Sequence, residues 1–371
     1  MIPTIHADIT PLAINRTAMY YVVQDTLREI VKRDMPLECS ALGIAIPVTN
    51  LIKNDFCLTE ENDREIMSRL QECIADRNSL ELGQSTWDID APFQDGVTLT
   101  FDPLYLGFSI KRRRNISFVL DLTPVTRPMW HSPKVSALYS HAFNNLYDPS
   151  VEIISISQST TRDLWANYGI PKSRVNTIYL YNRLEGKKVM RSPGKCSFLF
   201  VGSLEPRKNI ETLARAFELS GLHSKGFSLR VVGQDGHNAN HTREVCSKIP
   251  GVVLLGRLNE KDLANEYQTC MCLVFPSLWE GFGLPALEAM AMDIPLLLSD
   301  SGALPEIGGL FADYVDPCDI ESVQKGLCYF VQNKADDKLE QRVEKIKWLA
   351  KFAKENYLQE ILALLRRNTN T

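Results

Sequence analysis

Ser277-Leu278-Trp279-Glu280-Gly281-Phe282-Gly283-Leu284-Pro285-Ala286-Leu287-Glu288 is the stretch on which the fold turns. It follows a short apolar run, Cys270 to Phe275, which reads as a buried strand. Gly281 and Gly283 supply a loop whose backbone can approach a ligand closely. Pro285 suits the first turn of a helix, where its missing N–H costs nothing, and Ala286 to Met292 are good helix formers. The predicted unit is strand, glycine loop and helix N-terminus. Unpaired N–H groups and the positive end of the helix dipole make such a place receptive to an anion. Glu280 precedes the helix and Glu288 lies in its early turns; carboxylates there can accept hydrogen bonds from sugar hydroxyls. Donors for phosphate beside acceptors for hydroxyls suit a nucleotide-sugar.

Outward from this stretch, strands and helices alternate. Cys196 to Gly202 reads as a strand and is followed by Ser203-Leu204-Glu205-Pro206-Arg207-Lys208-Asn209. Asn209 is predicted to cap a helix from Ile210 to Leu219. Arg207 and Lys208 then stand just before a helix N-terminus, where cations oppose the dipole and an anionic ligand would resolve the conflict. Leu229 to Gly233 and Val252 to Leu255 are further strands. The first ends in Gly233-Gln234-Asp235-Gly236 and the second leads into Gly256-Arg257-Leu258, with Asn259 and Asp262 as a helix start. Pro295 to Ser299 is the next strand. Strand–helix alternation over 196–330 predicts a parallel doubly wound sheet.

The first half alternates less regularly. Strands are predicted at Ile5 to Leu12, Leu37 to Pro47, Val97 to Phe101, Ile116 to Leu122, Val151 to Ser157 and Val175 to Leu180. Helices are predicted from Tyr21 to about Lys32, over Glu60 to Ala75, and from Gln158 to Tyr168, the last capped by Ser157 and ended by Gly169. Residues 182–195 lack periodicity and form the interdomain linker. Helices Leu339 to Ala353 and Asn356 to Leu365 finish the chain.

Two glutamates with seven residues between them and Gly-Phe-Gly-Leu-Pro inside resemble the signature of the GT-B retaining glycosyltransferases of family 4. Asp8-Ile9-Thr10-Pro11-Leu12, Ser157 to Leu164, Tyr168-Gly169-Ile170-Pro171, Leu304 to Gly309 and Tyr314-Val315-Asp316-Pro317 match the order of segments in that family. The resemblance implies an α/β GT-B fold: two Rossmann-like doubly wound domains facing across a cleft. Residues 1–182 would bind the acceptor and 183–350 the nucleotide-sugar donor, while 351–371 would form a helix crossing back to the first domain. It further implies a hexosyltransferase acting with retention, with catalytic roles for Arg207, Lys208, Glu280 and Asp121. Donor contacts fall to Gly202, Gly233, Arg257, Leu258, Gly281, Phe282, Gly283, Leu284 and Glu288. Arg207 and Lys208 would hold the diphosphate, Glu280 the sugar and Glu288 the ribose. The turn at Arg257-Leu258 would meet the base. Asp121 stands where the family places a His-Asp pair, but Leu120 occupies the histidine's position.

Other departures concern the first domain. The loop Asn15-Arg16-Thr17-Ala18-Met19-Tyr20 lacks the family's glycines, so no close phosphate contact is expected there. His131 is read as a loop histidine bonded to backbone; folded back, it could meet the acceptor. Lys111-Arg112-Arg113-Arg114 is first a solvated face, and alternatively a patch for a phosphate-bearing or membrane-surface acceptor.

Bulk properties bound the remaining classes. A chain of 371 residues suits about two domains. A net charge of −4 gives no indication of a nucleic-acid partner. No apolar run is long enough to span a bilayer, and the N-terminus lacks a signal-peptide pattern. Nine cysteines without zinc spacing or a disulfide framework suggest a reducing compartment, hence the cytoplasm, with association at the inner face of the membrane as an option. No Asp-x-Asp stands at a strand end, so neither a metal nor another cofactor is expected, the nucleotide-sugar being a co-substrate. The expected acceptor is a glycan or a lipid-linked glycan, and the donor is best matched by GDP-mannose. A dinucleotide oxidoreductase is disfavoured because no Gly-x-Gly-x-x-Gly follows the first strand of either half. A degenerate relative that binds nucleotide-sugar or glycan without transfer remains the alternative.

Overall fold

The computed structural model describes residues 4–14, 18–75, 94–108, 112–183, 196–332 and 339–369. The chain divides into two compact units, Met1–Leu180 with Glu355–Thr371, and Tyr181–Lys354. Phe352 stays with the second unit for a local reason: its ring packs edge-on against Phe282, and its carbonyl accepts the Asn182 N–H at 3.0 Å.

The first unit is built on β1 (Ile5–Asp8), β2 (Leu37–Ala41), β3 (Ile44–Ile46), β4 (Gln94–Thr100), β5 (Arg112–Val119), β6 (Val151–Ser155) and β7 (Val175–Thr177). They form a seven-stranded sheet in the order β3-β2-β1-β4-β5-β6-β7. Every pairing is parallel except β2 with β3. The run Leu37 to Pro47, predicted as one strand, is therefore a hairpin. Leu42 and Gly43 both take positive φ, +48° and +79°, which is the backbone a tight two-residue reversal demands. The first long helix, Ala18–Lys32, starts earlier than its apolar spacing indicates. Ala18 to Tyr20 are helical rather than looped, and residues 15–17 of that predicted loop lie outside the described residues. Val22, Val23, Leu27 and Ile30 are buried, as the spacing requires.

The terminal helix Lys354–Thr369 belongs to this first unit. It buries Tyr357, Ile361, Leu362 and Leu365, and the Tyr357 hydroxyl lies 2.7 Å from Thr26 Oγ1. At its far end Asn368 donates to Glu152 Oε2 at 2.7 Å and Arg367 pairs with the same carboxylate. Of the basic run, Lys111 lies outside the described residues. The one described side chain, Arg114, donates to Asn368 Oδ1 at 3.2 Å.

The second unit contains β8 (Ser197–Val201), β9 (Ser228–Val232), β10 (Val252–Gly256), β11 (Cys272–Phe275), β12 (Leu296–Ser299) and β13 (Asp313–Val315). All pairings are parallel, in the order β10-β9-β8-β11-β12-β13. Near-continuous apolar strands such as Ser-Phe-Leu-Phe-Val and Cys-Leu-Val-Phe are what a parallel sheet covered on both faces needs. Phe200 and Phe275 stack across β8 and β11, 5.4 Å apart. The strand order reverses between these two strands. In open α/β sheets the crevice beyond the carboxyl ends at such a reversal is where ligands bind.

Glycines line that carboxyl edge. Gly202 follows β8 and donates to Val232 O at 2.9 Å; Gly233 follows β9 and donates to Gly256 O at 2.9 Å. A Cβ on Gly233 would sit 1.8 Å from the Gly202 carbonyl oxygen, so backbone stands where any side chain would go. We predict that Gly233→Ala destabilises the second unit by about 3 kcal/mol, the scale of a forced overpacking, read as a lower urea midpoint.

Candidate functional site

At the reversal between β8 and β11, two loops meet. The first turns through Pro206–Lys208 into the helix Ile210–Leu219. The second runs from Pro276 to Gly283 into the helix Leu284–Ala291. A backbone bond from Leu278 N to Arg207 O, 2.8 Å long, ties them together. Asn209 also ties them, though not as predicted. It has left-handed φ of 58° and its side chain makes no cap hydrogen bond. Instead its amide donates to Pro276 O at 3.0 Å and Pro317 O at 2.8 Å. The side chain thus serves the loops rather than the helix.

These ties bring Arg207, Lys208 and Glu280 together. Lys208 Nζ lies 2.7 Å from Glu280 Oε1 and Arg207 Nη1 lies 2.9 Å from Glu280 Oε2. Arg207 also donates to Trp279 O at 3.0 Å and pairs with Glu205 at 2.9 Å. Lys208 and Glu280 are buried, and the Lys208 ammonium stands 5.1 Å over the Phe275 ring. Burial by itself would push the Glu280 carboxyl up. Lys208 and Arg207 outweigh it and hold the group down at about 2. Burial pulls the Lys208 ammonium below its ordinary value, with Glu280 opposing and Arg207 reinforcing the fall.

Glu280 is held from its backbone as well. Its carbonyl accepts Ala303 N–H at 2.9 Å. Gly302, at φ +61°, makes that approach possible, since a Cβ there would lie 2.6 Å from the Glu280 oxygen. Nothing in the order of residues marks Gly302; only the close approach of β12's following turn reveals it.

The predicted amide cradle is smaller than its sequence implies. Gly283 adopts φ 106° as the residue before the helix. Its carbonyl accepts from Ala286 N at 3.0 Å and Leu287 N at 3.2 Å, and Pro285 has no N–H. Among Gly283 to Leu287 the amides of Gly283 and Leu284 are those outside these bonds. Phe282 turns its ring into the core against Phe352, so its part in any ligand contact is main chain.

Glu288 forms a second cluster. Its Oε1 accepts from Arg183 Nε at 3.1 Å and Nη2 at 2.8 Å, and its Oε2 accepts from the Tyr267 hydroxyl at 3.2 Å. Neither partner is visible in sequence: Arg183 lies in the predicted linker and Tyr267 on the helix Glu260–Thr269. Arg257 and Leu258 follow β10 at the same carboxyl edge, Arg257 exposed and Leu258 packed on the core.

In the first unit, Asp121 follows β5. Its Oδ1 accepts from Thr123 N at 2.8 Å and from the Thr123 hydroxyl at 2.5 Å. His131 Nε2 is 3.0 Å from that same hydroxyl. The histidine thus folds back onto the Asp121 turn through the Thr123 side chain. Asp8 and Asp102, at the ends of β1 and β4, are buried, and burial pushes both carboxyls up to about 7. Among the described residues no group of three or more His, Cys, Asp or Glu could hold a metal ion, and no helix is long and apolar enough to cross a membrane.

Residues 184–347 match the family described as glycosyl transferases group 1. The Escherichia coli O-antigen chain mannosyltransferase B is 26% identical over 242 residues, 60% of this chain and 62% of that protein. The O-antigen chain mannosyltransferase RfbU of Salmonella typhimurium is 26% identical over 179 residues, 47% of this chain and 49% of the relative. The chain therefore spans less than two thirds of these curated relatives. Among solved structures, sucrose-phosphate synthase from Thermosynechococcus elongatus aligns with a TM-score of 0.69 at 16% identity, over 98% of each chain. Anabaena HepE in complex with UDP-glucose aligns with a TM-score of 0.67 at 14% identity, over 98% of this chain and 100% of that one. At such identity the alignments establish the fold, the GT-B type with two Rossmann-like units that the sequence predicts.

The ion cluster has a pH consequence. The Glu280 carboxyl has an ordinary value of 4.5 and a folded value of about 2, so its pairing stabilises the fold above the ordinary value and is lost as pH falls towards the folded one. Glu280→Gln is expected to lower stability at neutral pH, on the order of 3 kcal/mol, with the wild-type and variant curves converging at the acid end. Acid-unfolding series followed by circular dichroism would show parallel curves if the pairing contributes nothing.

Proposed function

We propose that this chain, which carries a group 1 glycosyl transferase domain at residues 184–347, transfers a hexose from a nucleotide-diphosphate sugar to a glycan or lipid-linked acceptor. The observation that carries the reading is the pairing of Arg207 and Lys208 with Glu280 at the sheet reversal of the second unit. Two cations held by one carboxylate are fixed in place before any ligand arrives. Charge developing on a leaving diphosphate is best stabilised by such preorganised donors.

In this reading the diphosphate takes Lys208, Arg207 and the Gly283 and Leu284 amides, and Glu280 exchanges its cations for hydroxyls of the sugar. Glu288 accepts from the ribose, and Arg257 and Leu258 border the base. Asp121 lies on the acceptor side, with Thr123 and His131 completing a hydrogen-bonded chain that can orient an acceptor hydroxyl and receive its proton. Arg207 and Lys208 supply the positive charge a metal would otherwise bring, which supports a metal-independent transfer. The mannosyltransferase relatives favour mannose from GDP-mannose, in polysaccharide assembly, and the family resemblance favours retention at the anomeric carbon. An acceptor on a lipid carrier would place the enzyme at the inner membrane face.

Leu120 motivates the second reading, binding without transfer. The two are separated by turnover. A melting-temperature screen against GDP-, UDP- and ADP-linked sugars should give a clear rise with one of them. Lys208→Ala and Glu288→Ala should each remove at least about nine-tenths of transfer to a glycan acceptor, tenfold being about 1.4 kcal/mol of transition-state binding, while far-ultraviolet circular dichroism stays native. Near-normal rates in both variants would sink the site assignment; donor binding without any transfer or hydrolysis by the wild type would favour the second reading.

A further inference from the structure

Three separate stretches of the second unit meet at Glu288. It sits in the helix Leu284–Ala291, it is 4% exposed, and it meets Arg183 from the segment just after the unit boundary and Tyr267 from the helix Glu260–Thr269. The way its two oxygens are used is uneven. Arg183 places two hydrogen bonds on Oε1, from Nε at 3.1 Å and Nη2 at 2.8 Å, instead of spreading one to each oxygen. Oε2 receives the Tyr267 hydroxyl alone, at 3.2 Å. Burial, with Glu288 beside it, drives the Tyr267 hydroxyl far above its ordinary value, so it stays protonated and donates.

A carboxylate offers about four acceptor positions, two on each oxygen. Arg183 fills both on Oε1 and Tyr267 fills one on Oε2. One acceptor position on Oε2 is left. A staple serving stability alone would favour the two-oxygen fork, the stronger geometry. Arg183 is 28% exposed at the side chain and Glu288 6%, so the pair offsets the cost of burying the carboxylate, and it does so without the stronger geometry. What the contact does achieve is to fix the rotation of a buried carboxylate.

We propose that Arg183 is a positioning residue of the donor site, holding Glu288 so that it accepts a single ribose hydroxyl through Oε2. The assignment rests on the reading of Glu288 as the ribose acceptor. It adds to that reading a residue from the linker and a stoichiometry: one hydroxyl of the ribose is recognised by this carboxylate and the other is not.

The test measures binding by isothermal titration calorimetry. The probes are whichever of GDP, UDP and ADP raises the melting temperature most, and its 2′-deoxy and 3′-deoxy analogues. For the wild type, one analogue should bind about tenfold more weakly than the parent and the other about equally, tenfold being the loss of one hydrogen bond to a charged group. In Arg183→Ala the gap should close to within about twofold because the parent weakens and the sensitive analogue does not. Arg183→Lys, which keeps the charge but not the paired donors, should leave most of the gap closed. A gap undiminished in Arg183→Ala would overturn the inference. So would equal weakening of parent and both analogues, which is what a purely structural role predicts. Two sensitive analogues in the wild type would overturn the single-hydroxyl claim. If instead no nucleoside diphosphate binds the wild type, or Glu288→Ala leaves all three affinities unchanged, the donor-site reading itself fails.

Discussion

Glu280 lies between Lys208 and Arg207 at 2.7 and 2.9 Å, buried at the reversal of a parallel sheet, and much of the second unit is arranged to keep it there. Removing any one of the three would leave a buried charge uncompensated, which costs more than the intact group contributes. The backbone supports follow from that constraint. Asn209 clamps the two loops through Pro276 and Pro317, Leu278 bonds back to Arg207, and Gly302 lets Ala303 reach the Glu280 carbonyl. Each fixes a position that, left loose, would let the ions separate into a medium unable to solvate them.

The cluster is balanced. Arg207 and Lys208 face Glu205 and Glu280, two charges of each sign. A diphosphate therefore cannot simply enter an open positive well. It has to take the cations from a carboxylate already bound to them, and the freed carboxylate then needs donors of its own. Hydroxyls of a sugar attached to that diphosphate would be the nearest such donors. A bare phosphate would bring no such replacement, so in the proposed reading the arrangement would favour a ligand carrying both groups.

The elements with strong periodicity were readable in sequence: five of the six parallel strands of the second unit, all but Asp313–Val315, the Ser157 and Asn259 caps, the Gly169 stop and the loop preceding Leu284. The place of Arg207 and Lys208 before a helix start was readable too and pointed to an anionic ligand, but their pairing with Glu280 was not, because it depends on two loops distant in sequence. Less legible were features set by long-range closure. The Leu37–Pro47 hairpin was hidden because Leu42 is an unusual residue for positive φ. Asn209 has the side chain of a cap, and only the presence of two distant carbonyls redirects it. Arg183 carries no local signal, since a lone arginine in a polar linker looks like any solvated cation. His131 reaches Thr123 across eight residues of loop, a distance that periodicity does not address.

Topology offers two crevices, not one, and electrostatics separates them. In the first sheet the strand order also reverses, between β1 and β4, where Asp8 ends one strand and Asp102 follows the other. The same rule that points to β8 and β11 points there. Yet the groups at that reversal are acidic and sealed: Asp8 is wholly buried with one carboxylate oxygen unpaired, and Thr100, its register partner, has a buried unpaired hydroxyl. Asp102 is filled by Tyr139 and the Leu104 amide. Burial pushes both carboxyls up to about 7, so each resists taking charge, and a nearby polyanion would raise them further. An anionic donor at this edge would meet carboxyl groups and closed packing, whereas at β8 and β11 it meets an arginine, a buried lysine and two helix-start amides. The shared topology offers a crevice at either sheet; the second presents hydrogen-bond donors that an anion could take, whereas the groups closing the first are carboxyl acceptors.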